Sequence, residues 1–158
     1  MALRPVRLPP DVSGSLWLGP MPGRFDSWSA FEADARQSRL AMVVCLTPRK
    51  EMAELSPAYH AAMTADALPF RWLNMPIRNF GSPDDPAGFR RDVGKIADAL
   101  RQGEAVMLHC AAGIGRTGTT AACVLKAPGL GTGDALQRVR DAGSNPENAE
   151  QSGLVDWF

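Results

Sequence analysis

Residues 106–120, VMLHCAAGIGRTGTT, bring His109, Cys110, Gly113, Gly115, Arg116 and Thr117 close together, with Arg116 six positions after Cys110. An apolar run enters this segment and a helix-forming run leaves it, so the chain passes from strand through loop to helix. Such a passage aims several backbone N–H groups and a helix N-terminus at one point, which makes an anion site. Gly113 and Gly115 allow the backbone conformations that a cradle needs and let the anion approach closely. A cysteine at the mouth of the cradle is expected to ionise readily, because amide dipoles, the helix N-terminus and a guanidinium all favour the thiolate. A thiolate beneath a bound phosphate is placed for in-line attack on phosphorus, giving a phosphocysteine. Arg116 suits the grip on two equatorial phosphate oxygens, since its planar fork binds them bidentately where lysine offers a point charge. Thr117 is placed to donate its hydroxyl to the sulfur when that sulfur becomes the leaving group.

The elements that must hold this segment alternate between short apolar runs and longer helical patterns. Strands are expected at Ser15–Leu18, Ala41–Leu46, Phe70–Met75 and Ala105–Leu108, the last being the most central in character. Pro48 marks the exit of the second. Ser27 caps a helix with Trp28, Phe31 and Ala35 on one face. Residues 56–67 have a Ser cap and a Pro at the first helical position. Asp85 before Pro86 opens a helix whose apolar stripe is Phe89, Val93, Ile96, Ala97 and Leu100, closed by Gly103. Further helices are expected over 116–126, 134–142 and 148–158. This alternation predicts an α/β fold with a mostly parallel central sheet flanked by helices, in one domain over 1–158.

The chain of 158 residues is 45% hydrophobic and 22% charged, with 17 basic and 17 acidic side chains. A zero net charge without blocks of like sign argues against a nucleic-acid binder or a membrane-surface patch. A chain of this length buries roughly 68–70% of its unfolded surface and needs no metal or disulfide to fold. Three cysteines and two histidines have neither disulfide-framework nor metal-ligand spacing, so no metal and no cofactor are expected. Prolines interrupt the start, MALRPVRLPPD, before an apolar leader can form, and no apolar run is long enough to span a bilayer. A cytoplasmic, thiol-reducing setting is the simplest expectation.

HCAAGIGRTG resembles the HC-x5-R-[ST] signature of the cysteine-dependent protein phosphatases, and the chain is most similar to their small dual-specificity group. Val43–Thr47 (VVCLT) resembles the family's "V-x-x-L-T" strand end. Met75–Phe80 (MPIRNF) resembles "P-I-x-D-F/G", and Ser144–Gln151 (SNPENAEQ) resembles "G-S-x-E-x-x-E-Q". The resemblance implies a mostly parallel sheet flanked by helices and a two-step phosphomonoester hydrolysis without metal or cofactor. Cys110 would be the nucleophile, with Arg116 and Thr117 assisting. Ala111, Ala112, Gly113, Ile114, Gly115 and Arg116 would bind the phosphate of a phosphorylated protein or peptide. The neutral loop interior favours a phosphoprotein, because members acting on polyphosphoinositides usually carry lysines there.

One departure stands out. The family's general acid is an aspartate on a loop upstream of the nucleophile, and Asn79 occupies that position, where it has no proton to give. Asp84 is the first substitute and Asp85 the second, although Asp85 is also the expected cap of the helix beginning at Pro86. By the same resemblance, His109 orders the loop by hydrogen bonding. Cys45 is a candidate redox partner of Cys110 or simply a buried thiol. Gln151 either orients the hydrolytic water or serves as a polar residue at a helix start. Two rival functions stay open: a phosphate-binding pseudophosphatase, which Asn79 suggests, and an anion-loop redox enzyme of the arsenate reductase kind, which would need a resolving thiol.

Overall fold

Every residue of the run Ala105–His109 is buried, as a strand covered on both faces requires. In the computed structural model, which describes residues 3–158, this run is β5, the middle strand of a five-stranded sheet. The other strands are β1 (Arg4–Val6), β2 (Ser15–Gly19), β3 (Leu40–Cys45) and β4 (Arg71–Asn74), and the order is β1-β2-β5-β3-β4. β2, β5, β3 and β4 run parallel, while β1 pairs antiparallel with β2 at the edge. The expected fold class is therefore the observed one. Met1 and Ala2, the first residues of the proline-interrupted start, lie outside the described residues.

Among the described residues seven helices connect and cover the strands: α1 (Trp28–Gln37), α2 (Arg49–Leu55), α3 (Pro57–Thr64), α4 (Pro86–Arg101), α5 (Gly115–Lys126), α6 (Thr132–Asp141) and α7 (Ala149–Trp157). The period of two along β5 divides the core. Val106 and Leu108 join α4, α5, α6 and α7 on one face, whereas Ala105 and Met107 join Phe31 and Ala35 of α1 on the other. A smaller cluster of Met21, Cys45, Met52 and Tyr59 seats α2 and α3 on the rest of the sheet. α5 is the innermost helix, with every residue from Gly115 to Leu125 buried.

Two of the expected caps form, whereas Ser56, at the N-cap position of α3, donates its hydroxyl to Pro22 O at 2.7 Å and caps nothing with its side chain. Ser27 Oγ accepts from Ala30 N at 3.1 Å, and Asp85 Oδ1 accepts from Gly88 N at 3.0 Å with Pro86 in the first turn. Gly103, at φ +87°, reverses the chain after α4 as a left-handed glycine does. Two elements had no reading in the sequence. β1 is only three residues long, and α2 buries a single residue, Met52, so neither develops a periodic signal. Pro48, read as a strand exit, is also the N-cap of α2.

Two helical glycines meet opposite surroundings. A Cβ on Gly94 of α4 would touch nothing within 4 Å, whereas one on Gly118 of α5 would come within 2.5 Å of Asn145 N and 2.9 Å of Asn145 C. Gly94→Ala should therefore stabilise by about 0.5–1 kcal/mol through backbone entropy. Gly118→Ala should destabilise by about 1–3 kcal/mol, because backbone must move to admit the methyl group. Urea denaturation of the two variants checks the opposite signs.

Candidate active site

Cys110 follows β5 directly, at the carboxyl end of the parallel strands, and is 3% exposed. The loop after it is shaped by what holds its carbonyls. Ala111 O accepts from Met21 N at 3.2 Å, and Ile114 O accepts from Gly118 N at 2.8 Å and Asn145 N at 3.2 Å. Gly113 O accepts from both Arg4 Nη2 and Ser144 Oγ, each at 2.6 Å. All peptides are trans among the described residues, and a trans peptide sets the next N–H opposite its carbonyl. Carbonyls drawn outward at 111, 113 and 114 thus turn the N–H groups of Ala112, Ile114 and Gly115 inward. Gly113 N donates to Cys110 Sγ at 3.2 Å. Gly113 has φ +79°, and a Cβ there would run into the backbone of Gly19, so residue 113 must be glycine for the loop to close against β2.

Arg4 reaches the loop from the edge strand, 109 positions away in sequence from Gly113. Burial lowers its pKa and the charge of Cys110 raises it, so Arg4 is a second cation within electrostatic reach of the sulfur.

Arg116 is buried and held from behind. Its Nη1 donates to Glu51 Oε1 at 3.1 Å and to Ile77 O at 2.9 Å, and its Nη2 donates to Glu51 Oε2 at 2.7 Å. Three of the five guanidinium donors are thereby engaged. The two left, Nε–H and one Nη2–H, lie along one edge and form a side-on fork suited to two oxygens of an oxyanion.

His109 is fully buried and donates from Nδ1 to Cys110 O at 3.1 Å. Trp72 Nε1 donates to Tyr59 Oη at 2.7 Å, which leaves the Tyr59 hydroxyl to donate to His109 Nε2 at 2.9 Å. The imidazole is accordingly neutral with its proton on Nδ1. Burial, with Arg116 repelling a second proton, lowers its pKa to about 4. This arrangement agrees with a loop-ordering role.

Cys110, Ala111, Ala112, Gly115 and Arg116 line one cleft of about 400 Å3, and Asn79, Phe80 and Glu147 form its walls. Gly113 and Ile114 shape the cradle through backbone alone. Asp84 is elsewhere. Pro83 pairs back on Ile77; of the loop between them Asn79 and Phe80 line the cleft, and Asp84 beyond it does not. There it is 83% exposed, 3.8 Å from Arg78, in a neighbouring depression with Asp85. Asp85 is engaged as the cap of α4.

The Thr117 hydroxyl is buried without a hydrogen-bond partner among the described residues and makes no bond to Cys110. Gln151 accepts from Glu147 N at 2.9 Å and donates to Gly81 O at 3.4 Å; it braces two loops instead of facing the cleft. Cys45, Cys110 and Cys123 are free thiols. Cys45 Sγ donates to Thr47 O at 3.7 Å, and burial pushes its pKa up, while burial takes Cys123 up to about 12. Arg4, Glu51, Tyr59 and Glu147 had no reading as site residues. Only Glu147 stood in a segment with a signal, SNPENAEQ.

This fold and this anion loop define a domain of the dual-specificity and tyrosine phosphatase class. Residues 29–129 match the Tc-R-P family, described as the DSP-PTPase phosphatase of polymorphic toxin systems, and the chain belongs to that family. A protein of Invertebrate iridescent virus 3 inferred to be a tyrosine phosphatase, 067L, is 39% identical over 57 residues, which are 34% of this chain and 24% of the viral protein. The chain therefore spans about a quarter of that relative's length. Among solved structures, kinase associated phosphatase superposes with a TM-score of 0.81 at 17% identity, covering 97% of this chain and 90% of the other. Tk-PTP in its active form gives 0.71 at 24% identity, covering 92% of each chain, and human DUSP28 gives 0.65 at 19%, covering 98% and 91%. These likenesses are of fold. Among the described residues no helix is long and apolar enough to cross a membrane, and no cluster of three His, Cys, Asp or Glu side chains is placed to hold a metal ion.

The neutral buried His109 has a consequence for stability. Its folded pKa of about 4 lies below the unfolded value, so between pH 6.5 and 4 the unfolded chain binds the extra proton and stability falls as the pH falls. Wild type should lose on the order of 2 kcal/mol more than His109→Gln between pH 7 and pH 4.5. Equilibrium unfolding at the two pH values measures it.

Proposed function

We propose that the chain hydrolyses phosphomonoesters on a phosphorylated protein or peptide, phosphotyrosine foremost, through a phosphocysteine on Cys110. The observation that carries this reading is the cradle itself: Cys110 Sγ at its base, inward N–H groups at 112, 114 and 115, and the free edge of Arg116 beside it. Cys110 Sγ would attack phosphorus in line while those donors hold the equatorial oxygens, whose charge grows in the transition state. Glu51 would keep the guanidinium edge aimed, because an arginine this buried would otherwise swing or draw water. Water would then attack the phosphorus of the phosphocysteine, releasing inorganic phosphate and restoring the thiolate. Thr117 would assist the departing sulfur once its unpartnered hydroxyl turned toward it. A thiolate nucleophile needs a reducing compartment, which favours action in cytoplasm.

The pseudophosphatase reading rests on Asn79, which lines the cleft where the resembling family has its acid. The redox reading is weakened by the remaining thiols. Cys45 is hydrogen-bonded to Thr47 and pushed toward the neutral form, which is the opposite of what a resolving thiol requires.

Wild type should give a burst of phenol followed by steady turnover of an aryl phosphate. Cys110→Ser should abolish both while still binding vanadate, since serine stays protonated at neutral pH. A binding module would show neither burst nor turnover in wild type. Arg116→Lys should lower kcat/KM by roughly 10²–10³-fold, because a point charge cannot replace the fork. Steady-state kinetics at fixed pH reads this directly.

A further inference from the structure

With Asn79 unable to donate and Asp84 outside the cleft, a leaving phenolate would need its proton from another group. Among the residues lining the cleft only two carry carboxyls, Glu51 and Glu147. Both oxygens of Glu51 are taken by Arg116, so this carboxyl is committed to aiming the guanidinium. Glu147 is differently placed. Its side-chain carboxyl lies against the Cα of Gly115, in the space that a Cβ there would fill. No ion pair among the described residues includes it.

The segment carrying Glu147 is held on both sides. Toward the cradle, Ser144 Oγ donates to Gly113 O at 2.6 Å and Asn145 N donates to Ile114 O at 3.2 Å. Toward the opposite wall, Asn148 Nδ2 donates to Phe80 O at 2.8 Å, and Gln151 links Glu147 N to Gly81 O. Ser82 Oγ adds a bond to Glu150 Oε1 at 2.6 Å. The backbone of Glu147 is thus braced against the loop that would hold the phosphate and against the wall that bears Asn79. A proton donor has to be positioned in this way to act at one oxygen of a bound ester.

We propose that Glu147 is the general acid and base of the reaction, in place of the residue at position 79. This rests on the hydrolase reading above. In the first step Cys110 Sγ forms its bond to phosphorus as the P–O bond to the phenol breaks. The leaving oxygen takes the proton of the Glu147 carboxyl, which becomes a carboxylate. In the second step that carboxylate takes a proton from the attacking water, the new P–O bond forms and the P–S bond breaks. The products are inorganic phosphate, the thiolate and Glu147 protonated again. Gly115 is part of this assignment, since any side chain there would displace the carboxyl.

The test compares wild type, Glu147→Gln and Asp84→Asn on phenyl phosphate, whose leaving group resembles tyrosine (pKa ≈ 10), and on p-nitrophenyl phosphate, which needs little protonation. Vanadate binding by each variant checks that the cradle is intact. Glu147→Gln should slow phenyl phosphate turnover by about 10²-fold or more and the first step on nitrophenyl phosphate by less than tenfold, within the usual range for a general acid. An equal effect on both first steps, or none, overturns the assignment while leaving the hydrolase reading intact. So does a selective loss in Asp84→Asn in place of Glu147→Gln. Wild type inactive on both esters, with vanadate still bound, overturns the hydrolase reading and this inference with it.

Discussion

The outward pull on three carbonyls is the constraint from which the site follows. A trans peptide cannot present its carbonyl and the next N–H to the same side, so whatever binds the carbonyls of Ala111, Gly113 and Ile114 also decides where the amides point. The groups that bind them come from three distant parts of the chain, Met21 after β2, Arg4 in β1, and Ser144 and Asn145 before α7, and from Gly118 four residues on in α5. The edge strand and the last loop therefore belong to the anion site as much as Cys110 does. On the proposed reaction their contribution would be preorganisation, which removes the reorganisation cost when charge develops.

Two buried polar arrangements fix what the cradle alone leaves free. Arg116 is 3% exposed, a position where an unpaired guanidinium would be costly, and Glu51 resolves this while taking the two Nη groups that face it. A buried pair of this kind is weak evidence for stability. Its clearer effect is directional, since it leaves one edge of the guanidinium for an anion. On the other side of β5, the relay from Trp72 through Tyr59 to His109 sets the imidazole tautomer and anchors the carbonyl of Cys110. Tyr59 and His109 are fully buried and support the loop from within, while Glu51 and Arg116 line the cleft itself.

The walls of the cleft are tied to each other. The loop over 78–82 and the segment before α7 share bonds through Asn148, Gln151 and Glu150, and Phe80 adopts φ +60° at the tip. A non-glycine residue in that region carries strain that neighbouring structure must offset, and the bond from Asn148 to Phe80 O is one such restraint. Asn79 and Glu147 therefore line one cleft, on segments that are bonded to each other. The chain differs from the pattern it resembles at the first position and has a carboxyl at the second.

Much of this was legible from residue types alone. The anion loop was readable because its chemistry is local: strand, cysteine, glycines, arginine and helix start follow one another, and local geometry obeys local sequence. The parallel sheet was readable for a similar reason, since AVMLH is apolar on both faces and α4 shows a full stripe with a cap at each end. Three residues, Arg4, Glu51 and Tyr59, gave no signal, because a single polar residue in a short element looks the same whether it meets solvent or a buried loop. The position of Asp84 was misread because proximity in sequence to Asn79 suggested proximity in space, and the pairing of Pro83 with Ile77 reverses the chain between them. Sequence by itself determined that Cys110 and Arg116 stand on one loop between a strand and a helix, because that placement is set by the immediate backbone. Tertiary structure alone decided which arginine aims the carbonyls, which glutamate holds Arg116 and which carboxyl stands in the cleft, because each is a contact between segments that only the packed sheet and helices bring together.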